Sequence, residues 1–136
     1  MASERIDTEG TEHGGELPPE RLAEMLEAND VELIDVRRPH EWEAGRIPGA
    51  RRVEVNDLPA LADELDRERP VVLYCRSGSR SELAADGLRA GGFDAHALAG
   101  GISAWAEEGR SLDPEGGYVA ESGEAAAVLE ARRRNT

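Results

Sequence analysis

Four short segments along the chain have the apolar content expected of strands. They lie at residues 31–36, 52–55, 71–74 and 93–98. The third segment, Val-Val-Leu-Tyr, is apolar at every position, which is typical of a strand covered on both faces of a sheet. The segment at 52–55 instead alternates between polar and apolar residues. Pro-Gly and Gly-Gly pairs between the segments indicate turns, so the pattern predicts several short strands.

Apolar residues recur at helical spacing between these strands. A first helix is expected after Pro18, and a second after Asn56 or Asp57, either of which can cap it. A third runs from the serines after residue 76 to Gly91, and a brief helix holding Trp105 follows the last strand. Strands that alternate with helices through short turns predict an α/β domain with a largely parallel sheet.

The domain organisation follows from length and local composition. The chain has 136 residues, which fits one domain with a core that needs no disulfide. Residues 1–15 are polar, charged and glycine-containing, so we expect a flexible acidic N-terminal arm. Residues 16–112 hold the predicted strands and the helices that alternate with them, and form the main domain. Residues 113–136 begin with Pro and Gly and continue into EAAAVLEARRR, so we expect a C-terminal extension that is partly helical.

The charge balance excludes several classes of partner. The chain has 29 acidic residues against 16 basic ones, a net charge of -13, and every basic residue is Arg. Such a surface repels phosphate backbones and anionic headgroups, so we expect neither nucleic-acid nor membrane binding. An acidic excess without Lys also fits a protein adapted to high salt, and we hold halophily as a hypothesis. A genome that favours Arg codons is the alternative explanation.

The N-terminal sequence and the hydropathy predict a cytoplasmic location. The first ten residues have neither the basic nor the apolar region of a secretory signal. No apolar run approaches the roughly 18 residues that a membrane-spanning helix needs.

The single cysteine, Cys75, stands at the end of the most strand-like segment and before a Gly/Ser loop. A parallel strand that leads through such a loop into a helix makes an anion site of backbone N–H groups. We expect the loop amides, the helix dipole and two arginines to lower the pKa of the thiol, which makes it a nucleophile. The alternatives are a buried apolar cysteine and a solvated loop. The candidate loop residues are Arg76, Ser77, Gly78, Ser79 and Arg80, and Ser79 or Ser81 can also cap the helix.

Several segments in a fixed order carry a resemblance to a known family. They are LIDVR at 33–37, Glu41, RIPGA at 46–50, the loop at 75–80 and LAGGISAW at 98–105. Together they resemble the single-domain rhodaneses, a family of sulfurtransferases, over about residues 15–112. Cys-based phosphatases of related fold also place an Arg a few residues after the Cys, but the other segments favour sulfur transfer.

The resemblance implies a fold and a reaction. The fold is a three-layer α/β/α domain around a mostly parallel sheet of about five strands. In the reaction, Cys75 takes the outer sulfur of a donor such as thiosulfate and becomes a persulfide held by the loop amides. A thiophilic acceptor, which can be cyanide, a thiol or a sulfur-carrier protein, then removes that sulfur. The resemblance implies no metal and no organic cofactor.

Four further residues are candidates for supporting roles. Asp35 and Arg37 are placed at a strand end beside the loop strand, and Asp35 is expected to accept hydrogen bonds from loop amides or an Arg in a supporting role, although a local turn ion pair is comparably plausible. Glu41 faces the cleft or is a solvated helix residue. Arg46 replaces the His that is usual in rhodaneses, and it either stacks at the rim or adds positive charge for an anionic donor.

Two other functions remain open from the sequence. The domain can be a persulfide relay that accepts sulfur from a partner protein, because relay and enzyme need the same loop. It can also be a redox-regulatory binding domain with an oxidisable Cys75. Retention of the cysteine and the whole loop disfavours a module without catalytic function.

Overall fold

Five strands form one sheet in the order β1-β5-β4-β2-β3, and every neighbouring pair is parallel. The computed structural model describes residues 16–120. In chain order the strands are β1 (Glu16–Leu17), β2 (Glu32–Asp35), β3 (Arg51–Arg52), β4 (Val71–Tyr74) and β5 (Ala95–Leu98). This topology confirms the predicted α/β fold with its parallel, five-stranded sheet.

Helices cover both faces of the sheet and create three layers. They are α1 (Pro19–Glu27), α2 (Pro39–Ala44), α3 (Leu58–Ala62), α4 (Ser79–Ala90) and α5 (Gly101–Glu107), with a 3-10 turn at Val55–Asp57. One apolar cluster joins α3 and α4 to the sheet, and a second joins α1 and α5 to the opposite face. Both clusters are rich in Leu, Val, Ile and Ala, which matches the aliphatic composition.

Strand β4 shows how the alternation of side chains positions the nucleophile. Val72 and Tyr74 contribute to the α1/α5 cluster, while Leu73 and Cys75 contribute to the α3/α4 cluster. Cys75 therefore points toward the face that α4 covers. Asp35 at the end of β2 is paired in register with Tyr74, so the carboxyl ends of β2 and β4 lie side by side.

The structure differs from the predictions in the bounds of some strands and in the helix caps. β1 was not predicted, because two residues are too few to show a period, and it is defined by its pairing with β5. The predicted strand at 52–55 is wrong in extent: pairing stops at Arg52, and a 3-10 turn begins at Val55. The predicted side-chain caps are also wrong. Asp57 precedes α3 and Gly78 precedes α4, and neither helix has a side-chain hydrogen bond at its cap.

The segment after α5 packs against α2. Asp113 and Arg46 exchange backbone hydrogen bonds, and the N–H of Tyr118 donates to the carbonyl of Ala44 at 2.9 Å. Ala120 is buried. The remainder of the predicted extension, and the predicted N-terminal arm, lie outside the described residues. Across residues 16–120, none of the helices combines the length and the apolar character that crossing a bilayer requires.

Candidate active site

The nucleophile occupies a short turn between β4 and α4. Cys75 directly follows β4, and α4 begins at Ser79. Residues 75–80, which include the first two residues of α4, are here called the cradle loop. The Cys75 Sγ accepts a hydrogen bond from the backbone N–H of Gly78, with an N–S distance of 3.1 Å. Gly78 has a φ of 123°, a conformation that L side chains rarely adopt, which explains the glycine at this position.

Ser81 is a second hydrogen-bonding partner of the sulfur. Its Oγ lies 3.6 Å from the Cys75 Sγ and 3.1 Å from the carbonyl oxygen of Gly78, so its single hydroxyl proton can be donated to either acceptor, and donation to Sγ stabilises the thiolate. The serine is fully buried. It lies in the first turn of α4, where sequence reasoning proposed it only as a cap. The signal available in the sequence was the position of Ser81, six residues after Cys75 and on the side of α4 that is buried.

The surroundings of the sulfur determine the pKa of the Cys75 thiol. Burial by itself would raise the pKa of Cys75, because a low-polarity environment disfavours the thiolate. Hydrogen bonds from the Ser81 hydroxyl and the backbone N–H groups of Ser81, Gly78 and Arg80 outweigh this effect. The pKa of Cys75 is therefore below its ordinary value, which favours a nucleophilic thiolate. The stabilising groups are thus mainly amides and one hydroxyl.

Helix α5 holds the outside of the cradle loop. The N–H of Ile102 donates to the Cys75 carbonyl at 2.9 Å, and the N–H of Ser103 donates to the Arg76 carbonyl at 3.0 Å. A Cβ at position 101 would overlap both of these carbonyl oxygens, so only glycine allows the approach. These two hydrogen bonds hold the carbonyl groups of Cys75 and Arg76 toward α5. The N–H groups of the loop can therefore face the sulfur. The Gly100-Gly101-Ile102-Ser103 segment therefore has a direct structural role at the site.

Arg80 is committed to a buried carboxylate rather than to the sulfur. Its Nη1 and Nη2 donate to the two oxygens of Glu41, each at 3.2 Å. Glu41 is fully buried, which excludes the solvated-helix interpretation. Burial would raise the pKa of Glu41, but the hydrogen bonds from Arg80 and from the N–H of Arg38 hold it below its usual value. Glu41 and Arg80 thus remain an ion pair that ties α2 to α4.

Asp35 and Arg37 form a second buried ion pair beside the first. Nε and Nη2 of Arg37 donate to the Asp35 carboxylate at 2.7–3.0 Å, and both side chains are excluded from solvent. The Arg37 Nη2 also donates to the carbonyl of Gly45 at 2.7 Å. The two residues are only two positions apart, so the structure has the local ion pair that was the alternative prediction, although here it is fully buried. This pair fixes the carboxyl end of β2 next to the cradle loop.

The remaining candidates are Arg46, Arg76, Ser77 and Ser79. Arg46 stacks on the Trp42 ring, with 4.7 Å between its Cζ and the ring centroid, and donates to the Trp42 carbonyl. Its Nε is 4.0 Å from the Asp113 carboxylate. Ser77 and Ser79 are exposed, and Arg76 is directed toward α5 and the segment that follows it. In the part of the chain that is described, no group of three His, Cys, Asp or Glu side chains is placed to bind a metal.

The arrangement supports one type of chemistry. A thiolate in a nest of N–H groups can attack an electrophilic sulfur and then hold the resulting negative charge on that sulfur. Both steps need the same donors, and neither requires a histidine base because the thiol pKa is already lowered.

Comparison with known proteins points in the same direction. The family model described as Rhodanese-like domain matches residues 18–108. A protein of Allochromatium vinosum named Sulfurtransferase is 39% identical over 104 residues, covering 74% of this chain and 97% of that protein. Thiosulfate sulfurtransferase GlpE of Shewanella oneidensis is 36% identical, covering 64% of this chain and 87% of that protein. The crystal structure of a rhodanese-related protein from Thermoplasma volcanium superimposes with a TM-score of 0.66 at 26% identity, covering 72% of this chain and 96% of that one.

Proposed function

The chain belongs to the rhodanese-like domain family, and on that premise we propose that it is a sulfurtransferase that uses thiosulfate as donor and a Cys75 persulfide as intermediate. The names of its relatives support sulfur transfer in general. The choice of thiosulfate rests on the hydrogen-bond donors around the Cys75 sulfur, which suit an anion, together with the name of the Shewanella relative, Thiosulfate sulfurtransferase GlpE.

In the first half-reaction the Cys75 thiolate attacks the outer sulfur of thiosulfate. A bond forms between Sγ and that sulfur, and the S–S bond of thiosulfate breaks. The bonding electron pair leaves on sulfite, so the total negative charge is conserved. Cys75 then carries a persulfide whose terminal sulfur is anionic, and the N–H groups that lowered the thiol pKa are available to it.

In the second half-reaction a thiophilic acceptor attacks the terminal sulfur of the persulfide. The S–S bond to Cys75 breaks, and its electron pair returns to Sγ as the thiolate. The enzyme is regenerated in the protonation state in which it began. This cycle needs a cysteine that stays reduced between turnovers, which supports our proposal that the protein works in the cytoplasm.

The observation that carries the proposal is the hydrogen-bonded Cys75 sulfur at the carboxyl end of β4. Gly78, Ser81 and the backbone around them supply the hydrogen-bond donors to the sulfur. The Glu41–Arg80 pair lies behind this shell and holds the first turn of α4 in place. We assign Cys75 as the nucleophile and residues 76–81 as its anion-binding shell.

Mass spectrometry of the intact protein tests the proposal. After incubation with thiosulfate and removal of excess reagent, we expect the wild-type protein to gain the mass of one sulfur atom. Cys75→Ser, the matched control, is expected to gain nothing. Cyanide added to the loaded protein is expected to remove the added mass and release thiocyanate. Failure of the wild type to gain sulfur would contradict thiosulfate as the donor and would favour the persulfide relay.

A further inference from the structure

The hydroxyl of Ser81 has one proton and two acceptors within reach. Its Oγ lies 3.6 Å from the Cys75 Sγ and 3.1 Å from the carbonyl oxygen of Gly78. The Ser81 side chain is fully buried, so the choice is between these two protein atoms rather than solvent. Because a hydroxyl rotates about its C–O bond, the O–H can turn from one acceptor to the other without any movement of the backbone.

The two acceptors differ in how their charge changes during the proposed reaction cycle. The Gly78 carbonyl keeps the same partial charge throughout. The Cys75 Sγ carries a full negative charge as the thiolate, but in the persulfide that charge lies on the terminal sulfur. Hydrogen bonds to an ionised acceptor are roughly twice as strong as those to a neutral one. The Ser81 O–H is therefore expected to turn to Sγ in the thiolate and to the carbonyl, its nearer acceptor, in the persulfide.

The Gly78 carbonyl keeps a donor when the hydroxyl turns away from it. The backbone N–H of Glu82 donates to the same oxygen at 2.9 Å, in the first turn of α4. A buried carbonyl without a donor would be costly, and this contact removes that cost. The Gly78 N–H, by contrast, is held on Sγ at 3.1 Å by the backbone. Of the donors to the sulfur described above, the hydroxyl is the one that can change partner as the charge moves.

We propose that Ser81 is a catalytic residue whose hydroxyl donates to Sγ as the Cys75 thiolate leaves in the second half-reaction. The proposal rests on the function proposed above. As the acceptor attacks the terminal sulfur, the S–S bond breaks and its electron pair goes to Sγ. The Ser81 O–H turns from the Gly78 carbonyl to Sγ and keeps its proton, so the step includes no proton transfer. The hydrogen bond stabilises the charge that develops on the leaving sulfur.

This role predicts opposite effects on the two half-reactions. A hydrogen bond that stabilises a thiolate makes it a better leaving group and, once the thiol is fully ionised, a weaker nucleophile. Removal of the hydroxyl is therefore expected to slow the release of sulfur from the persulfide. It is not expected to slow sulfur loading at a pH where Cys75 is fully ionised. A residue that only supports the shape of the loop would slow both steps together.

Single-turnover kinetics of Ser81→Ala test this prediction. Loading from thiosulfate is followed by intact mass, and release to cyanide is followed by the formation of thiocyanate. Both are measured at a pH where iodoacetamide alkylation shows Cys75 to be fully ionised in the wild type and the variant. We expect loading to be unchanged or up to about threefold faster, and release to be about three- to tenfold slower.

Two further variants serve as controls. Ser111→Ala removes the hydroxyl of an exposed serine after α5 and is expected to leave both rates unchanged. Ser81→Thr keeps a hydroxyl at the site and is expected to retain the wild-type ratio of the release and loading rates. Equal slowing of both steps in Ser81→Ala, or release at the wild-type rate, would overturn the proposed role.

The proposed donor and the role of Ser81 can fail separately. Failure of the wild type to load from thiosulfate contradicts the donor, whereas loading with inorganic polysulfide still permits release to be measured. The wild type gives a second test that needs no variant. Sulfur loading is expected to shift the amide resonance of Glu82, which shares the Gly78 carbonyl with the hydroxyl. A shift supports the exchange of partners, and its absence contradicts it.

Discussion

Glu41 of α2 and Arg80 of α4 form a two-point ion pair, with 3.2 Å at each contact, between residues that are 39 positions apart in the chain. The carboxylate is fully buried, while the arginine side chain is one-third exposed. Glu41 also accepts a hydrogen bond from the N–H of Arg38 at 2.9 Å, which anchors the start of α2. One side chain therefore connects the helix after β2 with the helix that carries the anion-binding shell.

Glu41→Gln is expected to lower the free energy of unfolding by about 1–3 kcal/mol at pH 7, because it leaves Arg80 without its counter-charge. Urea denaturation measures this difference, with Glu43→Gln on the exposed side of α2 as the control. The pKa of Glu41 is lowered in the folded state, so its contribution is present above the unfolded pKa of about 4.3. The contribution disappears as the pH falls through the folded pKa. A difference between wild type and Glu41→Gln that persists undiminished at pH 2 would contradict this assignment.

The pH dependence of Cys75 alkylation is expected to show a thiol that ionises more readily than ordinary cysteine. Because the chain has one cysteine, the rate of iodoacetamide alkylation followed by intact mass reports Cys75 alone. The midpoint for the wild type is expected below that of an unperturbed cysteine thiol, because the hydrogen bonds to the sulfur lower the pKa of Cys75. Ser81→Ala removes the hydroxyl that contacts Sγ and is expected to raise the midpoint. Ser111→Ala, which alters an exposed serine outside the cradle loop, should leave the midpoint in place. Equal midpoints for Ser81→Ala and wild type would exclude the hydroxyl contribution.

Gly101→Ala is expected to disrupt the cradle loop. Its Cβ would overlap the carbonyl oxygens of Cys75 and Arg76, and its φ of 62° is itself unfavourable for alanine. We expect a loss of about 3 kcal/mol or more in the free energy of unfolding, together with slower sulfur loading. Gly49→Ala is the matched control, because Gly49 also has a positive φ but meets only ordinary contact with Leu26. The control should lose only about 1–2 kcal/mol; similar losses for both variants would show that steric overlap adds nothing.

Asp35→Asn is expected to destabilise the domain by about 3–5 kcal/mol, because it leaves the buried charge of Arg37 uncompensated. Equilibrium denaturation by urea at pH 7 measures the effect. Glu54→Gln is a suitable control, since Glu54 pairs with Arg52 at the surface and its loss should cost less than about 1 kcal/mol. Equal effects of the two substitutions would refute a special role for the buried pair.

The sequence was sufficient for the features that depend on local patterns. The apolar run at Val71–Tyr74, the Gly/Ser loop after it and the helix that follows placed Cys75 at the carboxyl end of a parallel strand, and the structure has this arrangement. Strand β1 escaped prediction because its two residues become a strand only through pairing with β5. Such pairing is a property of the folded chain.

The partners of the charged residues could not be predicted, for the same reason. Nothing near Glu41 in the sequence indicates that it meets Arg80, and a carboxylate on a short helix is ordinarily solvated. Burial by the fold converts it into an anchor. The role of Ser81 depended on where α4 begins. Because the helix starts at Ser79 after Gly78, Ser81 faces the sulfur instead of capping the helix.

The hydrogen bonds from α5 to the carbonyls of Cys75 and Arg76 limit how this site can change during evolution. An insertion between Cys75 and Gly78 would displace these carbonyls from the N–H groups of Ile102 and Ser103. A wider loop for a bulkier electrophile therefore requires compensating changes in two distant segments, the loop itself and the Gly100-Gly101 turn. A single mutation that enlarges the cradle would lose its support before it gained a new substrate.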